Sequence, residues 1–226
     1  MPFGCSGRRN GKKQGSKLLF SGKIAKTRCQ NCHPRRHGRK TKNSPETHPK
    51  LTTIRLICRG KNLKDTMEFN EVILNRHSVR RFADKPVDRA LVDQLIAVAQ
   101  TAPSSKNCKS SGFMVVEDPD TIRALSQMRT SGCAFMDKAP VVIVVLGDSE
   151  LSDMWVENSS ISATFLQLAA TANGLGSCWV QVRGRERSKD GSVPGTAEDY
   201  VRQLLGVRDG MSILCLLALG YEAPAE

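Results

Sequence analysis

The sequence predicts a folded domain of interleaved helices and strands over residues 67–226, preceded by a basic, disordered segment over 1–66. Residues 1–66 hold 18 Lys or Arg against only Glu46 and Asp65, a formal +16, whereas the remainder carries 16 basic and 20 acidic residues, a formal −4. Apolar periodicity begins only at Met67. Before it, the apolar clusters are Leu18 to Phe20 and Leu51 to Cys58, too little to offset the entropy of ordering a chain. A third observation puts a sheet inside the domain: Pro140 to Leu146 is continuous and β-branched, the pattern of a strand buried on both faces.

The basic segment offers two chemistries. Its charge suits nucleic acid, although Phe3 and Phe20 are its only aromatics, leaving little for base stacking. Cys29, Cys32, His33 and His37 have the spacing of a metal knuckle or a haem attachment, but no turn or helix follows to supply a second ligand pair, so no metal is expected. No apolar run suits a secretory signal or a membrane span, and an organelle transit peptide fits the composition but not the amphipathic pattern. The eight cysteines form no short secreted framework, so reduced thiols in a cytoplasmic protein are the expectation.

From Met67 the elements follow one another with short connections. Met67, Phe69, Val72 and Ile73 repeat at helical spacing as far as Asn75. Asp88 is placed to cap a helix whose stripe is Leu91, Val92, Leu95, Ile96 and Ala99, stopped before Pro103. Thr101 to Asn107 is a polar loop leading into a strand from Gly112 to Glu117. Asp118-Pro119-Asp120 opens a helix ending near Thr130. The longest helix runs from about Ser152 to Asn173, apolar most of the way round and therefore buried on more than one side. Asn173 and Gly174 end it, and Gly174 to Val180 turns into a strand. Arg183 to Gly195 reads as a flexible loop, Ala197 to Leu205 as a helix, and Ser212 to Gly220 as a last buried strand.

Between the first two helices lies Arg76-His77-Ser78-Val79-Arg80-Arg81-Phe82. Guanidinium forks match phosphate oxygens bidentately, and a Ser hydroxyl adds a donor. A solvated basic turn is the alternative reading of these seven residues taken alone. Gly174-Leu175-Gly176 likewise allows either main chain laid against a planar surface or a Gly-capped helix turning into a strand.

Taken in order, these features resemble the nitroreductase family. The matching motifs are Arg-His-Ser-Val-Arg-Arg-Phe at 76–82, Ala-Pro-Ser-Ser-Lys-Asn at 102–107, the long helix running into Gly-Leu-Gly-Ser-Cys-Trp at 174–179, and Ala-Leu-Gly-Tyr at 218–221. The resemblance covers 67–221 and implies an α+β fold in three layers, a mixed, largely antiparallel sheet flanked by helices. It further implies FMN at the interface of a homodimer. Arg76, Ser78 and Arg80 would hold the FMN phosphate, with His77 in the same motif. Ser104 and Asn107 would reach the flavin from its side, and the backbone of Gly174, Leu175 and Gly176 would lie near the isoalloxazine. The implied activity is ping-pong: NADH or NADPH gives hydride to the flavin and leaves, and a nitroaromatic, quinone or similar small molecule takes the electrons. The cofactor then carries the chemistry, in keeping with a folded part whose single histidine is His77 and which has no nucleophile–base pair.

The chain departs from the family pattern in three places. Lys109-Ser110-Ser111 stands where members usually carry Gln-Pro-Trp or similar, which leaves open a flavin carrier or sensor with little turnover. Only five residues follow Tyr221, without the basic tail of many members, so Arg76, Ser78 and Arg80 are expected to be most of the phosphate's partners. Met67-Glu68-Phe69 resembles a family start, so 1–66 is expected to be an added extension, through which a nucleic-acid role would act, or upstream sequence.

Overall fold

Nine regular elements are built over residues 67–224, which the computed structural model describes; the disorder, metal and nucleic-acid expectations for 1–66 lie outside the described residues. The helices are α1 (Phe69–Asn75), α2 (Arg89–Gln100), α3 (Pro119–Ser126), α4 (Trp155–Ala172) and α5 (Ala197–Leu205). The strands are β1 (Ser111–Val116), β2 (Val141–Asp148), β3 (Gly176–Gln181) and β4 (Met211–Gly220). Their starts follow from local chemistry. Asp88 accepts from Ala90 N to cap α2, Asp118 accepts from Thr121 N with Pro119 in the first turn of α3, and Thr196 accepts from Asp199 N to cap α5.

The sheet has the order β1-β2-β4-β3 and every neighbouring pair of strands is antiparallel. Its mixed character comes from one parallel bridge, Ser78 to Ser177, which adds the basic turn to the outer edge of β3. Side chains alternate across β2. Val142 and Val144 face Ile122, Leu125, Val201 and Leu205 of α3 and α5, while Val141, Ile143 and Val145 face Val92, Leu95, Ala163 and Leu166 of α2 and α4. The result is helix, sheet, helix, the three-layer α+β arrangement expected from the sequence. A bulge between Val145 and Leu146 shifts the register against β4 by one residue, so Leu214 joins the α2/α4 side while Ile213 joins the other.

Three expectations are corrected. The segment 183–195 is not a flexible loop: Arg187 N bonds Gly195 O, Thr130 N bonds Arg187 O, and Ala197 N bonds Arg185 O, pinning it to the turn after α3 and the start of α5. A short 3-10 helix, Ala134–Lys138, stands before β2 where no element was expected, its Met136 wholly buried. The longest helix also begins at Trp155 rather than Ser152.

Candidate functional site

Residues 76–83 run as an extended strap across the adjoining ends of β3 and β4. Val79 N donates to Ser177 O at 3.0 Å, Ala83 N to Tyr221 O at 2.9 Å, and Ala223 N to Arg81 O at 3.0 Å. Alternation along such a segment puts Arg76, Ser78 and Arg80 on one side and His77 and Val79 on the other. Val79 is buried, whereas Ser78 and Arg80 are exposed and Arg76 is half-buried. Among the described residues, neither Arg76 nor Arg80 is in an ion pair. Arg80 lies over the Phe135 ring, 6.0 Å from its centroid. Its charge also reaches Cys178, opposing the burial that pushes that thiol up, as does a hydrogen bond with Ser78. Three donors on one side of a strap, without an acid to neutralise them, suit an oxyanion such as a phosphate.

His77 sits differently from its motif neighbours. Its Nδ1 faces Asn75 O at 2.8 Å and its Nε2 faces Glu222 Oε1 at 3.1 Å. With both ring nitrogens turned to the strap's own anchors, the side chain clasps α1 to the residues after β4.

The glycine segment serves the chain's own packing. Gly174 has φ +74 and ends α4 in a Schellman turn, Gly174 N to Thr171 O at 2.9 Å and Leu175 N to Ala170 O at 2.9 Å. Leu175 is 3% exposed, within the α2/α4 core. A Cβ on Gly176 would stand 2.6 Å from Val79 Cγ2, so glycine is needed there for the strap to lie on β3. The Gly-capped helix turning into a strand accounts for these residues, and only their backbone faces outward.

Ser104 and Asn107 lie elsewhere, in a tight loop after α2. Lys106, Asn107 and Lys109 all have positive φ, at 51°, 53° and 51°, left-handed positions that cost the two lysines roughly 1 kcal/mol or more each. The loop is held in return. Ser104 Oγ accepts from Lys109 N at 3.0 Å and Lys109 Nζ donates to Ala102 O at 2.9 Å, so Lys109 is structural here. Asn107 is exposed. Cys108 is partly buried; burial pushes its thiol up, but hydrogen bonds with Ser110, Ser152 and Ser104 outweigh it, and the net direction is down.

Two polar residues inside α4 organise both regions. Asn158 accepts from Ser105 N at 2.8 Å and donates to Ser110 Oγ at 2.9 Å. Gln167 donates to Ser177 Oγ at 3.2 Å, beneath the strap. Both are buried. Asn158 is a polar residue in a helix that is apolar most of the way round, which is the signal the sequence offers for it. Nine positions apart, Asn158 and Gln167 are separated by about 14 Å of helix, so within one chain the strap and the 104–107 loop belong to different ends of α4.

Comparison with known proteins follows from this geometry. The family model described as Nitroreductase family matches residues 73–130 and 125–221. An FMN-dependent nitroreductase from Clostridium difficile R20291 superposes with a TM-score of 0.64 at 36% identity, over 69% of this chain and 88% of that one. A Thermus thermophilus protein named NADH dehydrogenase is 31% identical over 177 residues, 68% of this chain and 85% of that protein. An Archaeoglobus fulgidus protein with the provisional name NADH dehydrogenase/NAD(P)H nitroreductase is 30% identical over 155 residues, 67% of this chain and 83% of that protein.

Proposed function

This chain belongs to the nitroreductase family and is an FMN-dependent NAD(P)H oxidoreductase, and we propose that Arg76, Ser78 and Arg80 hold the FMN phosphate. The observation that carries this is the strap itself: three donors on one side, two of them guanidiniums without an acid partner among the described residues, fixed by Val79 N to Ser177 O and by the packing of Val79 on Gly176. The donor set fits the phosphate of FMN in charge and in number of hydrogen bonds.

When bound, FMN supplies the acceptance of a hydride equivalent from NAD(P)H and its return to an acceptor. The chain's own contribution is binding, orientation and exclusion of water. His77 is a positioning residue, tying the strap to Glu222. The backbone of 174–176 presents a surface free of side chains to the isoalloxazine, and Ser104 and Asn107 contact it from the far end. Asn107 would offer its amide to the polar pyrimidine or ribityl groups.

The two groups of residues lie at different ends of α4, which supports a homodimer in which each flavin is contacted by the strap of one protomer and the 104–107 loop of its partner. Phe69 and Leu74 beside the strap are 69% and 83% exposed, apolar surface of the kind a partner covers. The acceptor is a nitroaromatic, quinone or similar small molecule. Cys108, Cys133, Cys178 and Cys215 are all free thiols, which supports a cytoplasmic location, and among the described residues no helix is long and apolar enough to cross a membrane. The FMN-binding domain is residues 67–226, with 1–66 an extension to it.

The test is direct. The purified protein should be yellow or become so on adding FMN, and the colour should bleach when NADH or NADPH is added without oxygen. Failure to take up FMN overturns the phosphate assignment; colour without bleaching marks a flavin carrier instead.

A further inference from the structure

On the face of the sheet covered by α3 and α5 there is a cavity of about 320 Å³, lined among others by Gln127, Arg129, Thr130, Ala134, Arg187 and Val193. No carboxylate lines it, and neither Arg129 nor Arg187 is in an ion pair among the described residues. Arg129 Nε is buried and has no hydrogen-bond partner, alone in this among the described buried side-chain nitrogens and oxygens. Arg129 itself is partly exposed, but its Nε–H is shut off from water, and a donor in that position lacks the acceptor it is normally paired with.

Arg187 is fixed in place. Its Nε donates to Met128 O at 3.3 Å, its Nη2 to Gln127 O at 3.4 Å, and its guanidinium lies over the Tyr200 ring, 4.2 Å from the centroid. The main chain on either side is pinned by Thr130 N to Arg187 O. Two guanidiniums thus line one cavity, and one of them, Arg187, is held in place before any ligand arrives. The cavity also adjoins the strap, because Ala134 in its wall precedes the Phe135 over which Arg80 lies.

We propose that this cavity receives the 2′-phosphate of NADPH, making Arg129 and Arg187 the residues that favour NADPH over NADH. The inference rests on the FMN-dependent reading above. A doubly charged oxyanion matches two guanidiniums and supplies the acceptor that Arg129 Nε lacks, the same chemistry by which an Arg accommodates the 2′-phosphate of NADP in dinucleotide-binding folds of other topology. NADH has no group for this cavity, and both nucleotides share the pyrophosphate, so comparing them isolates the 2′-phosphate.

The experiment is calorimetric titration of the flavin-loaded protein with NADP⁺ and NAD⁺, for the natural chain, Arg129→Gln and Arg129→Lys. The natural chain should bind NADP⁺ roughly ten-fold or more tighter than NAD⁺, as one charge-assisted hydrogen bond warrants. Arg129→Gln should abolish the difference with NAD⁺ binding, flavin content and bleaching by NADH unchanged, and Arg129→Lys should keep part of it. Inorganic phosphate should compete with NADP⁺ and not with NAD⁺ in the natural chain, a readout that needs no variant. Equal affinity for the two nucleotides in the natural chain, or an equal loss of both in Arg129→Gln, overturns the proposal. Loss of flavin or of bleaching by NADH in the natural chain would instead count against the oxidoreductase reading.

Discussion

His77 and Glu222, 145 residues apart, meet at 3.1 Å between Nε2 and Oε1, while His77 Nδ1 faces Asn75 O at 2.8 Å. Both contacts are to acceptors, so a neutral imidazole can donate to only one and the imidazolium satisfies both. The Glu222 hydrogen bond, then the Asn75 carbonyl, raise the His77 pKa above its ordinary 6.5. A group whose folded pKa is raised adds stability that is fully present below the unfolded pKa and is lost as pH rises through the folded one. The clasp should therefore be firm below about pH 6.5 and loosen above the raised value. With side chains 58% and 51% exposed, its worth is about 0.2–1 kcal/mol. Proton NMR titration of His77 should show the raised pKa, and Glu222→Gln should lower it; an unchanged titration would remove the clasp from the account.

This contact also marks where sequence reading stops. Local chemistry was legible: Asp88 and Asp118 cap the helices expected of them, Ala197–Leu205 has the bounds its periodicity gives, and the run from Pro140 forms a central strand. The strap was legible as a donor-rich motif, because Arg, Ser and Arg at alternate positions announce their side. What anchors it was not. Glu222, Ser177 and Tyr221 are distant in sequence, and the reason for Gly176 is Val79, nearly a hundred residues earlier, so spacing alone could not separate close packing from a ligand surface. The segment 183–195 looked flexible for the same reason, since its main partners, Thr130 and Met128, lie in the turn after α3, more than fifty residues earlier.

Replacing Arg76 or Arg80 by Ala should cost FMN binding about 1.5–3 kcal/mol each, the value of a charge-assisted hydrogen bond, or an order of magnitude or more in Kd. Fluorescence titration of FMN into the flavin-free variants measures it. The fold should be intact, since neither side chain is in the core. Unchanged affinity in both variants would refute the phosphate assignment.

Gly176→Ala tests the fit of strap on sheet. The added methyl would lie within 2.9 Å of three Val79 side-chain atoms, and overpacking of this kind costs about 1–3 kcal/mol. Val79→Ala should relieve it, so the double variant is expected to be less destabilised than the two single changes add up to. Thermal unfolding of the four proteins gives the coupling, and additive losses would show that strap and β3 do not press on one another.

The last prediction concerns Asn158, whose side chain holds together Ser105, Ser110 and, more distantly at 3.4 Å, Ser152. Asn158→Leu keeps the volume and removes every one of these bonds, leaving the Ser105 N–H and the Ser110 hydroxyl without that partner, at about 1–3 kcal/mol for each group left buried and unsatisfied. The left-handed run at Lys106, Asn107 and Lys109 then loses the contact that holds it to α4. Because Gln167, at the other end of the helix, anchors Ser177 under the strap independently, phosphate affinity should change little while the 104–107 loop loosens. The variant is expected to have a lower Tm, faster amide exchange confined to residues 104–110, and a slower bleaching rate at near-normal FMN content. A lower Tm with exchange spread evenly over the domain would mean that Asn158 supports the core and has no particular hold on the loop.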